Sequence, residues 1–174
     1  MAYEGTIFDR LYGINHFVKY TNLENKTVLD IGCSAGLIAY EFARAGAKLI
    51  HGIDLLIDEV TLANDIMYHT GIEYDFHAID LRQGPAEIER MFEKNEYDVV
   101  LFLGMYHHLV KQLSFDQLFE LINWIMLRTK KYLLVRTGDF KEIENVIKPT
   151  FRMTNRYLPF KKIGEMRVYE RCSE

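Results

Sequence analysis

Short β-branched and apolar runs alternate along the chain with longer stretches whose apolar positions recur every three or four residues. That alternation predicts strands buried on both faces, interleaved with amphipathic helices. The runs Thr27–Ile31, Lys48–Ile53, Tyr74–Ile79, Tyr97–Leu103 and Tyr132–Val135 predict strands, and the fourth of them, Tyr97–Leu103 with DVVLFL at its heart, is the most apolar of all, which places it at the centre of the sheet. Between them, Ile38, Phe42 and Ala45 mark a helix that stops at Gly46. A second helix covers Asp58–Tyr68 with Ile57, Val60 and Met67 inward and Gly71 as its stop. Pro85 opens a helix through Lys94, as proline in a first turn should. Ser114 and Gln117 have capping-box spacing ahead of the stripe Phe115, Leu118, Phe119, Ile122, Ile125 and Met126, with Trp124 beside it as a packing residue. Asp139 caps a helix with Phe140, Ile143 and Ile147 inward, ended by Pro149. The last two strand-like runs, Phe151–Tyr157 and Met166–Arg171, predict an antiparallel hairpin. At the amino end, Ile7, Leu11, Ile14 and Val18 predict one more amphipathic helix, with Tyr12, His16 and Tyr20 on an adjoining face.

The chain is 174 residues long and so predicts a single α/β domain over 1–174, with 1–22 as a helical segment at its amino end. No uninterrupted apolar run is long enough to cross a bilayer, and no membrane is expected. The opening MAYEGTIFDR lacks a basic-then-apolar export pattern, and Cys33 and Cys172 have neither disulfide nor metal spacing, so a cytoplasmic location is expected. The net charge of −4 conceals an asymmetry: residues 130–174 hold 11 basic and 6 acidic side chains, against 10 and 19 in 1–129. A basic tail can attract an anionic substrate or RNA; a solvated face is the plainer explanation.

Candidate chemistry concentrates where the first strand ends. Gly32-Cys33-Ser34-Ala35-Gly36 follows it directly, and small residues there let the backbone approach a bulky ligand while the next helix turns unpaired N–H groups toward it. Asp54 lies 22 residues beyond Gly32, at the tip of the second strand. An acid in that position accepts from both hydroxyls of a ribose. The three-glycine spacing of dinucleotide folds is not met. The same five residues satisfy G-x-S-x-G, the nucleophile elbow of α/β-hydrolases, for which His107 or His108 could complete a triad; no oxyanion segment precedes them.

The pattern Asp30-x-Gly32-x-Ser34-x-Gly36 resembles motif I of the class I methyltransferases that use S-adenosyl-L-methionine, with serine at the middle glycine. The resemblance runs along nearly the whole chain. It implies a Rossmann-like, doubly wound, seven-stranded and mostly parallel sheet with helices on both faces and a C-terminal antiparallel hairpin. It also implies a cofactor, S-adenosyl-L-methionine, released as S-adenosyl-L-homocysteine. By the same resemblance Asp30 lies near the methionine ammonium group, Gly32, Cys33, Ser34 and Gly36 form the turn beneath the cofactor, and Asp54 and Leu55 meet the ribose side. Asp80 and Leu81 meet the adenine, with Asp80 as a turn residue or helix cap the alternative, and Gly104 closes the site at the fourth strand. The amino-terminal segment is a lid in this family, which makes Tyr12 and His16 candidate lid or substrate residues; packing at the domain edge is the alternative.

The segment Gly104-Met105-Tyr106-His107-His108-Leu109 ends the central strand, where ligands of parallel sheets react. It resembles members that methylate oxygen on small molecules or glycans. A hydroxyl acceptor must lose its proton, and imidazole suits that task near neutral pH. One of His107 and His108 is the candidate base, with Tyr106 beside them; the alternative is a structural histidine. Arg136 could hold an anionic acceptor or form a surface ion pair. The N/D-P-P-Y and Pro-Cys motifs of nucleobase enzymes are absent, and so is an oxygen-rich metal site, so no metal is expected. The expected function is O-methylation of a small molecule or glycan, with RNA methylation or a non-catalytic cofactor-binding module as alternatives.

Overall fold

The computed structural model describes residues 11–94, 96–158 and 164–173. Seven strands form one sheet: β1 (Thr27–Ile31), β2 (Leu49–Asp54), β3 (Glu73–Ala78), β4 (Tyr97–Leu103), β5 (Thr129–Thr137), β6 (Phe151–Tyr157) and β7 (Glu165–Arg171). Their order is β3-β2-β1-β4-β5-β7-β6, so β4 does hold the central place. The first five strands are parallel, and β7 enters antiparallel between β5 and β6. The seven-stranded architecture with its terminal hairpin agrees with the fold expected from the sequence.

Alternation along the strands divides the core into two layers. Leu29, Ile31, Val100, Phe102, Leu133 and Val135 face one side, together with α4 (Pro85–Met91), α5 (Tyr106–Leu109), α6 (Phe115–Arg128) and α7 (Lys141–Ile147). Val28, Val99, Leu101 and Leu134 face the other, under α1 (Ile14–Tyr20), α2 (Leu37–Arg44) and α3 (Ile57–Tyr68). Successive side chains on a strand point to opposite faces, which is why the central strands carry apolar residues on both. All five residues of β1 are buried.

Several expectations need correction. The amino-terminal helix is not continuous through Leu11: Gly13 has φ 81°, and α1 starts only at Ile14. Ile7 lies outside the described residues. Ile57, expected inward, is 63% exposed, and Phe115 and Phe119 are exposed too. Ile57 and Phe115 are the first residues of their helices and point to solvent, whereas Val60 and Leu118, three residues further on, are buried. The buried stripe of α6 instead runs through Leu118, Leu121, Ile122 and Ile125, and Phe115 and Phe119 stack on each other at its margin, centroids 6.1 Å apart. Trp124 packs inward as expected, and its indole N–H donates to Glu89 on α4 (2.8 Å). The Ser114–Gln117 capping box forms in both directions.

Candidate active site

The carboxyl ends of β1, β2 and β4 converge on the glycine-bearing turn. Gly32 N–H and Cys33 N–H both donate to the Ile53 carbonyl (2.8 and 3.0 Å), which folds the turn back over the end of β2. Gly32, Ser34 and Gly36 all have positive φ (83°, 48° and 74°). Glycine is required at Gly36 for a second reason: a Cβ there would lie 2.9 Å from Cβ of Ala63, so the start of α2 approaches α3 at backbone distance. At Gly32 an added Cβ would collide with Cγ and Sδ of Met105, from the segment after β4. That thioether chain is unbranched and adaptable, so it can yield where a branched residue could not.

Asp54 is held from both sides. Its Oδ2 accepts from Ser34 N–H (2.9 Å) and its Oδ1 from Leu56 N–H (3.1 Å). A carboxylate offers about four lone-pair sites, so about two remain for a ligand. Asp30 is in a different condition. It is 2% exposed, and its Oδ2 has no hydrogen-bond partner among the described residues. Burial, and secondarily the charge of Asp54, push its carboxyl up to about 7. A buried acid left without a partner needs a cation or a donor, which is what a ligand ammonium group would supply. The residues present therefore fit a ligand that carries both a ribose and an ammonium group.

Cys33 is buried, and its thiol is pushed far above the usual range by that burial and then by Asp30, Asp54 and Glu59. It is no nucleophile. The hydrolase alternative loses its geometry as well, because Ser34 Oγ donates to Glu59 on α3 (2.7 Å) and not to a histidine.

Asp80 follows β3, whose end is tied to β2 by Ile79 N–H donating to the Asp54 carbonyl (2.8 Å). Its carboxylate accepts from Arg82 N–H (2.9 Å), Nε and Nη2 (2.6 Å), and caps the short 3₁₀ turn Leu81–Gln83. That pairing holds the Asp80 carboxyl below its usual range. Leu81 is buried, and Leu55, next to Asp54, is exposed.

Gly104 has φ 78°, and its N–H donates to the Arg136 carbonyl (2.9 Å), linking the ends of β4 and β5. The turn α5 carries both histidines, ring centroids 3.9 Å apart. Burial first, then His108 and Lys111, lower the pKa of His107, which favours its neutral form. Tyr106 is buried and its hydroxyl donates to Glu142 Oε2 on α7 (3.2 Å); burial and then Glu142 push that phenol up to about 12. Tyr106 anchors the turn and is not presented to solvent.

Arg136 is only 6% exposed, contrary to the surface ion pair considered for it. Its Nη2 donates to the Tyr12 carbonyl (3.3 Å) and lies 3.7 Å from Met166 Sδ. Tyr157 and His16 share a hydrogen bond through the phenolic oxygen and Nδ1 (2.8 Å). Tyr12 and His16 thus meet the ends of β5 and β6, at the same end of the sheet as the turn but several strands away from Asp54 and Asp80. Met105, Glu59 and Glu142 escaped sequence reasoning. A methionine after a strand and acids in a first helical turn carry no motif, and first-turn acids are already explained by the helix dipole.

Among the described residues no group of three or more His, Cys, Asp and Glu could hold a metal ion, and no helix is long and apolar enough to cross a membrane.

Residues 28–125 match the model of a methyltransferase domain. The ubiquinone biosynthesis O-methyltransferase of Hydrogenovibrio crunogenus is 34% identical over 106 residues, covering 58% of this chain and 42% of that protein. Its namesake from Thiobacillus denitrificans is 29% identical over 153 residues, covering 83% and 62%. The chain thus spans less than two thirds of the length of these relatives. The crystal structure of magnesium protoporphyrin IX methyltransferase from Synechocystis PCC 6803 with bound SAM is similar in fold, with a TM-score of 0.70 at 18% identity over 97% of this chain and 85% of that one.

Proposed function

Because the chain belongs to the class I S-adenosylmethionine-dependent methyltransferases, we propose that it methylates a hydroxyl oxygen of a small molecule or glycan. The observation that carries this reading is the pairing, at one end of the sheet, of a cofactor-type cradle with an imidazole pair on α5, just after the adjoining strand β4. The two O-methyltransferase relatives support oxygen as the acceptor atom. S-adenosylmethionine supplies an activated methyl group when bound.

The chain's own residues do the rest. Asp54 accepts from the ribose hydroxyls with the lone pairs that Ser34 and Leu56 leave open. Asp30 answers the ammonium group with its unpartnered oxygen. Gly32, Cys33 and Gly36 keep the turn slim beneath the cofactor, while Asp80, Leu81, Leu55 and Gly104 border the adenine and the mouth of the site. For Asp80 that role requires its carboxylate to divide itself between Arg82 and the ligand. His107 or His108 takes the acceptor's hydroxyl proton as the oxygen–carbon bond forms. A lowered pKa keeps His107 free to accept at neutral pH. Tyr12, His16 and Arg136 border the acceptor side.

RNA has less support as acceptor, because most of the described cations of the basic tail are ion-paired within the fold. Arg156 pairs with Glu165, Arg167 with Glu144 and Glu165, Lys148 with Glu144 and Lys130 with Glu96.

The test is a labelled-methyl screen of phenolic and sugar acceptors with wild type, His107→Ala and His108→Ala. Loss of a general base lowers kcat by roughly 10²–10⁴-fold, and one of the two variants should show it with S-adenosylhomocysteine affinity intact. A double variant that turns over like wild type would remove the base assignment. Binding of cofactor without turnover on any acceptor class would favour the non-catalytic module.

A further inference from the structure

Ser34 departs from the glycine of the motif it resembles, and it occupies the same left-handed region, with φ 48°. A residue with a Cβ is disfavoured there, so something must hold it. Its hydroxyl donates to Glu59 Oε2 at 2.7 Å, a charge-assisted bond that crosses from the turn to the first turn of α3. Its N–H meanwhile donates to Asp54 Oδ2 at 2.9 Å. The direction of that N–H depends on the backbone conformation which the hydroxyl contact secures.

We propose that Glu59 is a positioning residue of the cofactor site: through Ser34 it fixes the turn, and so orients the Asp54 carboxylate toward the ribose hydroxyls. The inference rests on the reading of Asp54 as the ribose acceptor. Three further observations support it. Glu59 is only half-buried and belongs to the helix whose Ala63 closes on Gly36, so the clamp and the close packing are on one element. The fields of Asp30, Asp54 and Glu59 all act on Cys33, which places the three carboxylates around one turn. The bond joins the one non-glycine residue among the three positive-φ positions of the turn. A glycine at that position adopts the conformation unaided and has no hydroxyl to anchor.

The test uses calorimetric titration of the full chain with S-adenosylhomocysteine and with its 2′-deoxy analogue, for wild type, Asp54→Asn, Glu59→Ala, Glu59→Gln, Ser34→Ala, Ser34→Gly and the Ser34→Gly, Glu59→Ala double variant. Glu59→Ala should lower the preference for the ribose form by roughly 3–10-fold, the value of one positioned hydrogen bond. Glu59→Gln keeps an acceptor and should retain most of the preference. In the Ser34→Gly background, Glu59→Ala should cost nothing further. If Glu59→Ala does not fold, Ser34→Ala deletes the same contact and should reproduce the loss. Equal weakening of both ligands in Glu59→Ala and Ser34→Ala, or an unchanged ratio, would overturn the proposal. If Asp54→Asn leaves the preference intact, the ribose reading itself fails; if Asp54→Asn abolishes it and the Glu59 and Ser34 variants do not, only the positioning role fails.

Discussion

Asp30 and Glu144 are both acids removed from solvent, yet their surroundings treat them in opposite ways. Burial works against the charge of each. Around Glu144, on α7, it is outweighed: Lys148 Nζ (2.7 Å), the Tyr169 hydroxyl (2.8 Å) and Arg167 all donate to the carboxylate, which comes down to about 2. Arg167 also bonds Glu165 and lies over the Phe140 ring, so the cluster fastens α7 to the hairpin. Asp30 has no such donors, and the charge nearest to it is another acid, Asp54. One region has every polar group answered from within the chain and holds the fold together. The other leaves a buried oxygen unanswered, a cost to stability that protonation or a ligand donor relieves.

The largest expected break in that comparison comes from Asp54→Ala. If Asp54 accepts from the ribose as proposed, affinity for S-adenosylhomocysteine should fall by roughly 10²–10³-fold, with the melting temperature little changed. Calorimetry beside thermal unfolding checks both halves. Glu144→Ala should do the reverse, costing about 3 kcal/mol of stability in denaturant unfolding while cofactor affinity holds. The Glu144 carboxyl lies below its ordinary range, so its contribution is present above pH 4.5 and is lost as pH falls toward 2. Intact stability in Glu144→Ala would mean that the two regions do not differ as described.

Asp30 has the opposite sign. Its raised carboxyl favours the protonated folded state, so its contribution to stability is complete below its ordinary value of 3.8 and declines as pH rises through about 7. The ligand-free protein should lose about 2 kcal/mol between pH 5 and pH 7 from this group alone, and unfolding of Asp30→Asn over the same interval should lack that loss. Smallest of the four is Tyr106→Phe, which deletes the bond to Glu142 and should cost about 1 kcal/mol, measured by denaturant midpoint. A larger drop in turnover than in stability would show that the histidine turn depends on that anchor.

The contrast between the two acids was not open to sequence reading. Asp30 belonged to a legible motif, because turn glycines and strand-end acids occupy consecutive positions. Glu144 was one of several acids on a short helix, and two of its three partners, Arg167 and Tyr169, lie more than 20 residues away on β7. The same divide separates Asp54, whose place at a strand tip follows from local spacing, from Glu59, whose link to Ser34 exists only once α3 lies beside the turn.

By itself the sequence determined the strands, the two-sided burial of β1, β2 and β4, the central place of β4, the hairpin and the acids at the strand ends. All of these follow from residue patterns repeated over a few positions, and local periodicity is what the backbone obeys first. Tertiary structure alone decided that Phe115 and Phe119 stay in solvent while Leu118 and Leu121 are buried, that Arg136 is buried against Tyr12, and that Ser34 is braced by Glu59. Those outcomes depend on which side chains meet across elements distant in the chain, and no local pattern records that.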